Sequence, residues 1–200
     1  MSGPDRRRMM EEERRSVLEA GGGDGPPPEL YTSPRWYACR TCSRAEKAVA
    51  RRLAGSGLEA YLPLLRQKRQ WADRVKRVEL PLFPGYVFAR FDLTRLHEVI
   101  VTPGVATVVR ANGHPTPVRE AELESVRALV AGANETGVQP AAAPDLEPGR
   151  EVVVADGPFQ GVRGTLVEER GAHRVVVRLA AVRQAVAIEI DRRLLRAVNV

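Results

Sequence analysis

Apolar and polar positions along the chain separate two folded stretches with different periods. Between residues 35 and 132, short runs of period 2 alternate with runs of period 3.6. Arg35 to Cys39 reads as a strand, and Ser43 to Leu53 as a helix with Ala45, Ala48, Val49 and Leu53 on one face. Ser43 followed by Glu46 has the spacing of a capping box, and Gly55 and Gly57 supply the stop. A strand over 59–65 is interrupted by Pro63, and residues 66–83 read as an extended, hairpin-like excursion. Tyr86 to Phe91 is a strong strand. Asp92 is placed to cap a short helix through Leu96, Val99 and Ile100 that stops at Pro103-Gly104. Val105 to Arg110 reads as another strand, Asn112-Gly113 as a hairpin turn, and Arg119 to Ala131 as a last helix with Leu123, Val126 and Val130 inward and Gly132 at its end. The order β-α-β-β-β-α-β-α predicts an α+β domain whose antiparallel-rich sheet carries packed helices.

From Gly149 onward the period is 2 throughout. EVVVAD, RGTLVEE, HRVVVRL and AVAIEI are short strands separated by Gly-containing turns, the pattern of a small all-β barrel. The stretch ANETGVQPAAAPDLEP, 133–148, has no period and is rich in Ala and Pro, so it reads as a linker. Residues 1–34, with a charged block and then GGGDGPPP, read as a disordered arm. The expected division is therefore 1–34 arm, 35–132 first domain, 133–148 linker and 149–200 barrel.

Composition changes this picture little, and charge changes it more. The formal net charge is +6, and the excess is concentrated: residues 36–132 hold 16 basic and 9 acidic side chains, whereas 133–148 holds three acids and no base. A polyanion would dock on the first domain. Arg44, Lys47 and Arg51 stand opposite the apolar face of the first helix. RQKRQWADRVKR, 66–77, adds Arg66, Lys68, Arg69, Arg74, Lys76 and Arg77 against the single acid Asp73, with Trp71 among them as a stacking platform for an unpaired base. A solvated basic surface accounts for the same pattern. No apolar run approaches the ~20 residues of a membrane span, and no apolar h-region follows the N-terminal charges, so a cytoplasmic protein without membrane contact is expected.

Candidate chemistry is sparse. Cys39 and Cys42 form a CxxC at a strand-to-helix junction, but Cys39 falls within the strand rather than at the helix start, and His97, His114 and His173 lack ligand spacing to the pair. Structural cysteines are expected, with thiol redox chemistry as the lesser alternative. Glu120, Glu122 and Glu124 open a helix, where the macrodipole accounts for them. With no phosphate loop, metal cluster or nucleophile signature, the expectation is a binding protein that is not an enzyme and needs no cofactor. In LPLFPGYVFARFD, 80–92, both faces of the strand are apolar: Tyr86 and Phe88 on one, Val87, Ala89 and Phe91 on the other. Either both are core, or the aromatic face is left for a partner.

At LPLFPGYVFARFD the chain resembles the NusG family of transcription elongation factors. WYACRTCSRAEKAVARRL is similar to that family's opening strand and helix, TPGVATVVRANGHPTPVREAELESV to its later strand, turn and helix, and EPGREVVVADGPFQGVRGTLVEERGAHRVVVRL to its KOW module, with Gly149, Gly157, Gly161 and Gly164 at the turns. The resemblance implies a monomeric factor that rides on RNA polymerase. An apolar patch of Phe83, Pro84, Tyr86, Phe88 and Leu123 would meet the clamp helices of the largest subunit, and the region of His97 would meet the second-largest subunit. Arg44, Lys47, Arg51, Arg69, Trp71, Arg74, Lys76 and Arg77 would contact non-template or upstream DNA. The KOW module would bind a ribosomal protein, a termination helicase or neither. The compact length and basic excursion are similar to RfaH-type and UpxY-type antiterminators, although their His-Thr-Thr run is His97-Glu98-Val99 here. The alternating, valine-rich C-terminal module favours a barrel over a helical alternative. The competing reading is an RNA- or ribosome-associated KOW protein without a polymerase role.

Overall fold

The sequence pattern reappears in a computed structural model that describes residues 25–70, 75–143, 149–169 and 172–198. In chain order the elements are α1 Glu29–Thr32, β1 Arg35–Thr41, α2 Glu46–Gly55, β2 Glu59–Tyr61, β3 Leu64–Gln70, β4 Val75–Pro81 and β5 Tyr86–Phe91. A single turn of 3-10 helix over Leu93–Arg95 leads into α3 Leu96–Ile100. There follow β6 Val105–Val108, β7 Arg110–Ala111, β8 His114–Pro115, β9 Pro117–Val118, α4 Glu120–Thr136 and β10 Ala141–Ala142. The last strands are β11 Arg150–Val154, β12 Arg163–Glu169, β13 Ala172–Leu179, β14 Gln184–Glu189 and β15 Leu195–Ala197. The expected α+β class with a C-terminal all-β module is what forms. The described residues divide into two compact units, one drawn from Met1–Tyr61 and Val87–Pro117, the other from Leu62–Tyr86 and Val118–Val200.

The first unit is built on a sheet with strand order β2-β5-β1-β6. Trp36 to Cys39 in β1 and Val87 to Ala89 in β5 are consecutive buried residues, so both faces of the two central strands are covered. Tyr37 and Phe91 stack with ring centroids 4.6 Å apart, and α2 buries Val49 and Leu53. The loop after α3 packs tightly on α2. Gly104 sits at φ +96 with Val49 Cγ2 only 2.9 Å from where a Cβ would be, so both its backbone angle and its space require glycine.

The second unit holds the β3–β4 hairpin, α4 and the six-stranded sheet β10-β14-β13-β12-β11-β15. Helix α4 packs on β3, β12 and β13. Branched aliphatic side chains fill the core of this sheet, among them Val152, Val154, Val175, Val177, Leu179 and Ile188.

Four local expectations are corrected. Helix α2 begins at Glu46 rather than Ser43, and no side chain caps it. The Cys42 amide donates to the Gly104 carbonyl (2.9 Å) and the Ala45 amide to the Cys42 carbonyl (3.1 Å), forming a turn with Arg44 at φ +59 that holds Ser43 away from the helix start. Pro63 ends the 59–65 strand, because β2 pairs with β5 while β3 leaves the sheet to pair only with β4. Gly132 does not end the last helix; α4 continues to Thr136, and Gly137 at φ +78 caps it, its amide donating to the Ala133 carbonyl (2.9 Å). The linker assigned to 133–148 therefore contains a helical turn and the strand β10, which pairs with β14; residues 144–148 lie outside the described residues. Of the arm, residues 1–24 lie outside the described residues, and Glu29–Thr32 is helical. Asp92 caps as expected, accepting from the Thr94 amide (2.9 Å), and Asn112 and Gly113 at φ +50 and +82 form the turn between β7 and β8.

Candidate functional site

The sequence Phe83-Pro84-Gly85-Tyr86 makes a turn in which the Tyr86 amide donates to the Phe83 carbonyl (3.2 Å) and Gly85 takes φ +82. This turn sorts the candidate apolar patch. Pro84 is exposed and Tyr86 half-buried, whereas Phe83 is 1% exposed. Phe88 and Leu123 are 0% exposed. Phe88 sits in mid-strand against Tyr61, with ring centroids 6.4 Å apart, and Leu123 lies on the face of α4 that also buries Val126 and Leu129. Three of the five patch residues are therefore core side chains, and the aromatic face of β5 is closed at Phe88 while Tyr86 still reaches solvent. Sealing follows from cover on the faces: consecutive residues of β1 and β5 are buried, so both faces of these central strands are covered where Phe88 sits.

His97 is exposed on α3. Its neighbours one turn on, Ile100 and Val101, are 36% and 58% exposed. The sequence pattern ran the helix through Leu96, Val99 and Ile100, and of these Val99 is the one fully buried. The signal for this outward apolar pair was the break in period at Val99-Ile100-Val101, three apolar residues in a row on a helix too short to bury them all.

The cationic residues divide similarly. Lys47 and Arg51 are exposed one turn apart on α2, with the Arg51 Nε donating to the Lys47 carbonyl (3.3 Å). Arg44 is exposed but lies in the turn before the helix, not on its stripe. Arg52, which the pattern did not single out, is committed internally: its guanidinium donates to the Pro103 carbonyl (2.7 Å). On the hairpin Arg77 is exposed, and Arg66 lies 3.7 Å from Glu79. The register sets Lys68 opposite Arg77 and Arg69 opposite Lys76. Trp71 and Arg74 lie outside the described residues.

The hairpin meets the end of α4 through side-chain amides. Asn134 Oδ1 accepts from the Arg66 amide (2.7 Å), and Asn134 Nδ2 donates to the Leu64 carbonyl (2.9 Å). Gln67 Nε2 donates to Gln139 Oε1 (2.9 Å), and Gln139 Nε2 donates to the Arg66 carbonyl (3.3 Å). A cleft of about 710 Å3 opens here, lined by Arg66, Gln67, Arg77, Asn134 and Gln139 among others.

On another face α4 carries the small residues Ala121, Ser125, Ala128 and Gly132, and the barrel lies against them. Ser125 Oγ accepts from the Arg163 amide (3.1 Å), and the space beside Gly132 is filled by Pro158 and the buried Phe159. A smaller cleft of about 300 Å3 lies near the start of α4, with Arg119, Glu122, Arg163 and Arg178 in its lining. Of the KOW turn residues, Gly157 and Gly161 adopt φ +84 and +88, whereas Gly149 and Gly164 have carbonyl oxygens 2.1 and 2.3 Å from a would-be Cβ. The first pair serves backbone angle and the second close approach to a neighbouring strand's backbone. At the barrel's far turn, Asp191 accepts from the Arg193 guanidinium and amide, which holds its carboxyl down at about 2.

Neither cysteine is in a disulfide; Cys39 is buried and Cys42 exposed. Burial pushes the Cys39 thiol up to about 12, the opposite of what a redox thiolate requires. This argues against the thiol oxidoreductase alternative. Among the described residues no cluster of His, Cys, Asp and Glu is arranged to hold a metal ion, and no helix is long and apolar enough to cross a membrane.

These features can be set beside known proteins. The family model described as "Transcription termination factor nusG" matches residues 34–127. The "Transcription termination/antitermination protein NusG" of Neisseria meningitidis serogroup B is 30% identical over 164 residues, 74% of this chain and 89% of that protein. Its counterpart in Thermus thermophilus is 30% identical over 165 residues, 72% of this chain and 89% of that protein. A solved structure titled "Domain interaction in Thermotoga maritima NusG" covers 84% of this chain and 99% of its own, with 22% identity and a TM-score of 0.45. With relatives at this identity aligned along nearly nine-tenths of their own length, the chain belongs to the NusG family.

Proposed function

We propose that this chain is a transcription elongation and antitermination factor that binds RNA polymerase and makes or breaks no covalent bond. The observation that carries the reading is the match, over most of both chains, to proteins named for transcription termination and antitermination. The factor acts by binding the closed clamp more tightly than the open one, which shifts the population toward uninterrupted elongation. Contact with the clamp helices of the largest subunit falls to Pro84 and Tyr86, the patch residues that reach solvent. Contact with the second-largest subunit falls to His97 with Ile100 and Val101, an exposed apolar pair beside an imidazole. Non-template DNA is met by Lys47 and Arg51 on α2 and by the basic strands of the hairpin, a salt-sensitive interaction. The hairpin carries no long insert, and this supports action on particular operons, as in specialised antiterminators. A ribosomal protein or a termination helicase is the partner class for the barrel.

The test is single-round transcription by bacterial RNA polymerase with the purified chain. Shortened pauses and co-migration with the elongation complex are expected, and both should be lost in Tyr86→Ala. Capture of ribosomes without polymerase, with pause lifetimes unchanged, would replace this reading with that of a ribosome-associated KOW protein.

A further inference from the structure

A two-stranded sheet is marginal in water by itself, and among the described residues the β3–β4 hairpin is paired to no third strand. Something else must hold it. The hairpin's foot is fixed by Leu65 and Phe83, both buried, and by the Leu82 amide donating to the Pro63 carbonyl (2.8 Å). Along the outer edge of β3, backbone groups of Leu64 and Arg66 are met by side chains of α4 and the residues after it. The Asn134 amide bonds both the Leu64 carbonyl and the Arg66 amide, the two contacts a neighbouring strand would make. Gln139 takes the Arg66 carbonyl and the Gln67 side chain.

We infer that Asn134 and Gln139 are positioning residues that hold the basic hairpin in one orientation, so that single-stranded nucleic acid meets a preformed cationic ridge and not a loose one. The inference rests on the proposed nucleic-acid contact of the hairpin and names residues that touch no phosphate themselves. The asparagine supplies one donor and one acceptor on a short side chain, which fits the alternation of an open strand edge. Aspartate at this place keeps the acceptor for the Arg66 amide and loses the donor to the Leu64 carbonyl. Without the clamp, the hairpin's ordering cost falls due at the moment of binding.

The test is fluorescence anisotropy of the full chain with a labelled oligothymidylate of about 20 nucleotides, a length that spans a typical single-strand site, over a range of salt. Asn134→Ala should weaken binding about tenfold, the equivalent of two hydrogen bonds of ordinary net strength. Its dependence of log K on log salt should stay as steep as the parent's, because the same charges still arrive. Arg77→Ala should instead make that slope shallower by about 0.7, one phosphate contact on a single strand. Amide exchange at Arg66 should quicken in Asn134→Ala and not in Arg77→Ala. Should Asn134→Ala lose its fold by circular dichroism, Gln139→Ala, beyond the helix end, carries the same test with a smaller loss. Parent-like affinity in a folded clamp variant overturns the positioning role alone. Failure of the parent itself to bind the oligonucleotide overturns the nucleic-acid contact and the positioning role together, while leaving polymerase binding to be judged by its own assay.

Discussion

Gly132→Ala offers a sharp check on how α4 and the barrel fit together. At a solvent-facing mid-helix site this change stabilises by about 1 kcal/mol, because alanine is the better helix former. At Gly132 the added methyl would lie 2.4 Å from the Pro158 carbonyl oxygen and 2.6 and 2.8 Å from two ring carbons of Phe159. The nearest of these atoms is backbone, so no rotamer change relieves it, and the loop must withdraw by about 1 Å to regain ordinary contact distance. Overpacking of this kind costs about 1–3 kcal/mol, and a Phe159 ring driven off the helix forfeits a burial term of about 1.5–3 kcal/mol. Set against the propensity gain, the net expectation is a loss of about 1.5–5 kcal/mol, or roughly 3–20 °C in Tm for a chain of this size. Urea denaturation with far-UV circular dichroism measures it. Gly55→Ala, where nothing lies within 4 Å, is the control and should be neutral or slightly stabilising. Amide exchange gives a local readout: the Arg163 amide, bonded to Ser125 Oγ on the same helix, should lose protection in Gly132→Ala only. If Gly132→Ala is as stable as Gly55→Ala and Arg163 stays protected, the loop carrying Phe159 does not pack on α4 in solution.

Other expectations follow from burial and charge. Phe88→Ala should cost about 3–5 kcal/mol as a core truncation, whereas Tyr86→Ala should leave the fold within about 1 kcal/mol while abolishing polymerase capture; a folded Phe88→Ala at parental stability would contradict its burial. Cys42 should react with a disulfide reagent at pH 8 and Cys39 should not, since its folded-state thiol titrates near 12. The sign of the linked pH effect is fixed as well. Between the ordinary thiol value of 9.0 and about 12, the unfolded chain releases a proton that folded Cys39 keeps. Stability should therefore be intact below pH 9 and fall as pH rises through that window, by up to about 1.4 kcal/mol per unit. Tyr37, raised from 10.0 to about 12 chiefly by burial, adds to the fall in the upper part of that window. Cys39→Ala should flatten the lower part of the curve, and an unchanged alkaline limb would refute the assignment. Gly164→Ala should unfold the barrel strands, since its Cβ would lie 2.3 Å from the Val176 carbonyl oxygen; native strand content by circular dichroism would show that β12 and β13 have room to separate.

What the sequence disclosed and what it withheld differ in kind. Periods of 2 and 3.6 report which side of an element is apolar, and on that basis the four barrel strands, the Asn112-Gly113 turn and the Asp92 cap were legible. Period cannot report what covers an apolar side. Phe88 and Tyr86 are identical in pattern, two residues apart on one face, yet one is sealed and the other reaches solvent. The difference tracks register: Tyr61 of β2 stands opposite Phe88 with its ring 6.4 Å away, and the pairing with β2 ends there, short of Tyr86, which is a long-range fact. Gly132 is the converse case. Its residue type was read as a helix stop because glycine is favoured there on local grounds. Its helical backbone and the ring of Phe159 show a glycine required by a contact 27 positions away in sequence. The small stripe Ala121, Ser125, Ala128, Gly132 was invisible to a hydrophobic count for the same reason: a surface made for close approach carries little apolar area of its own. Asn134 completes the argument. It fell in a segment assigned to linker by composition, yet its amide stands in for a missing strand beside β3. Residues whose role is to satisfy the backbone of a distant element leave no local period. The parts of a binding protein that orient its contact surface will therefore be harder to read from sequence than the contact surface itself.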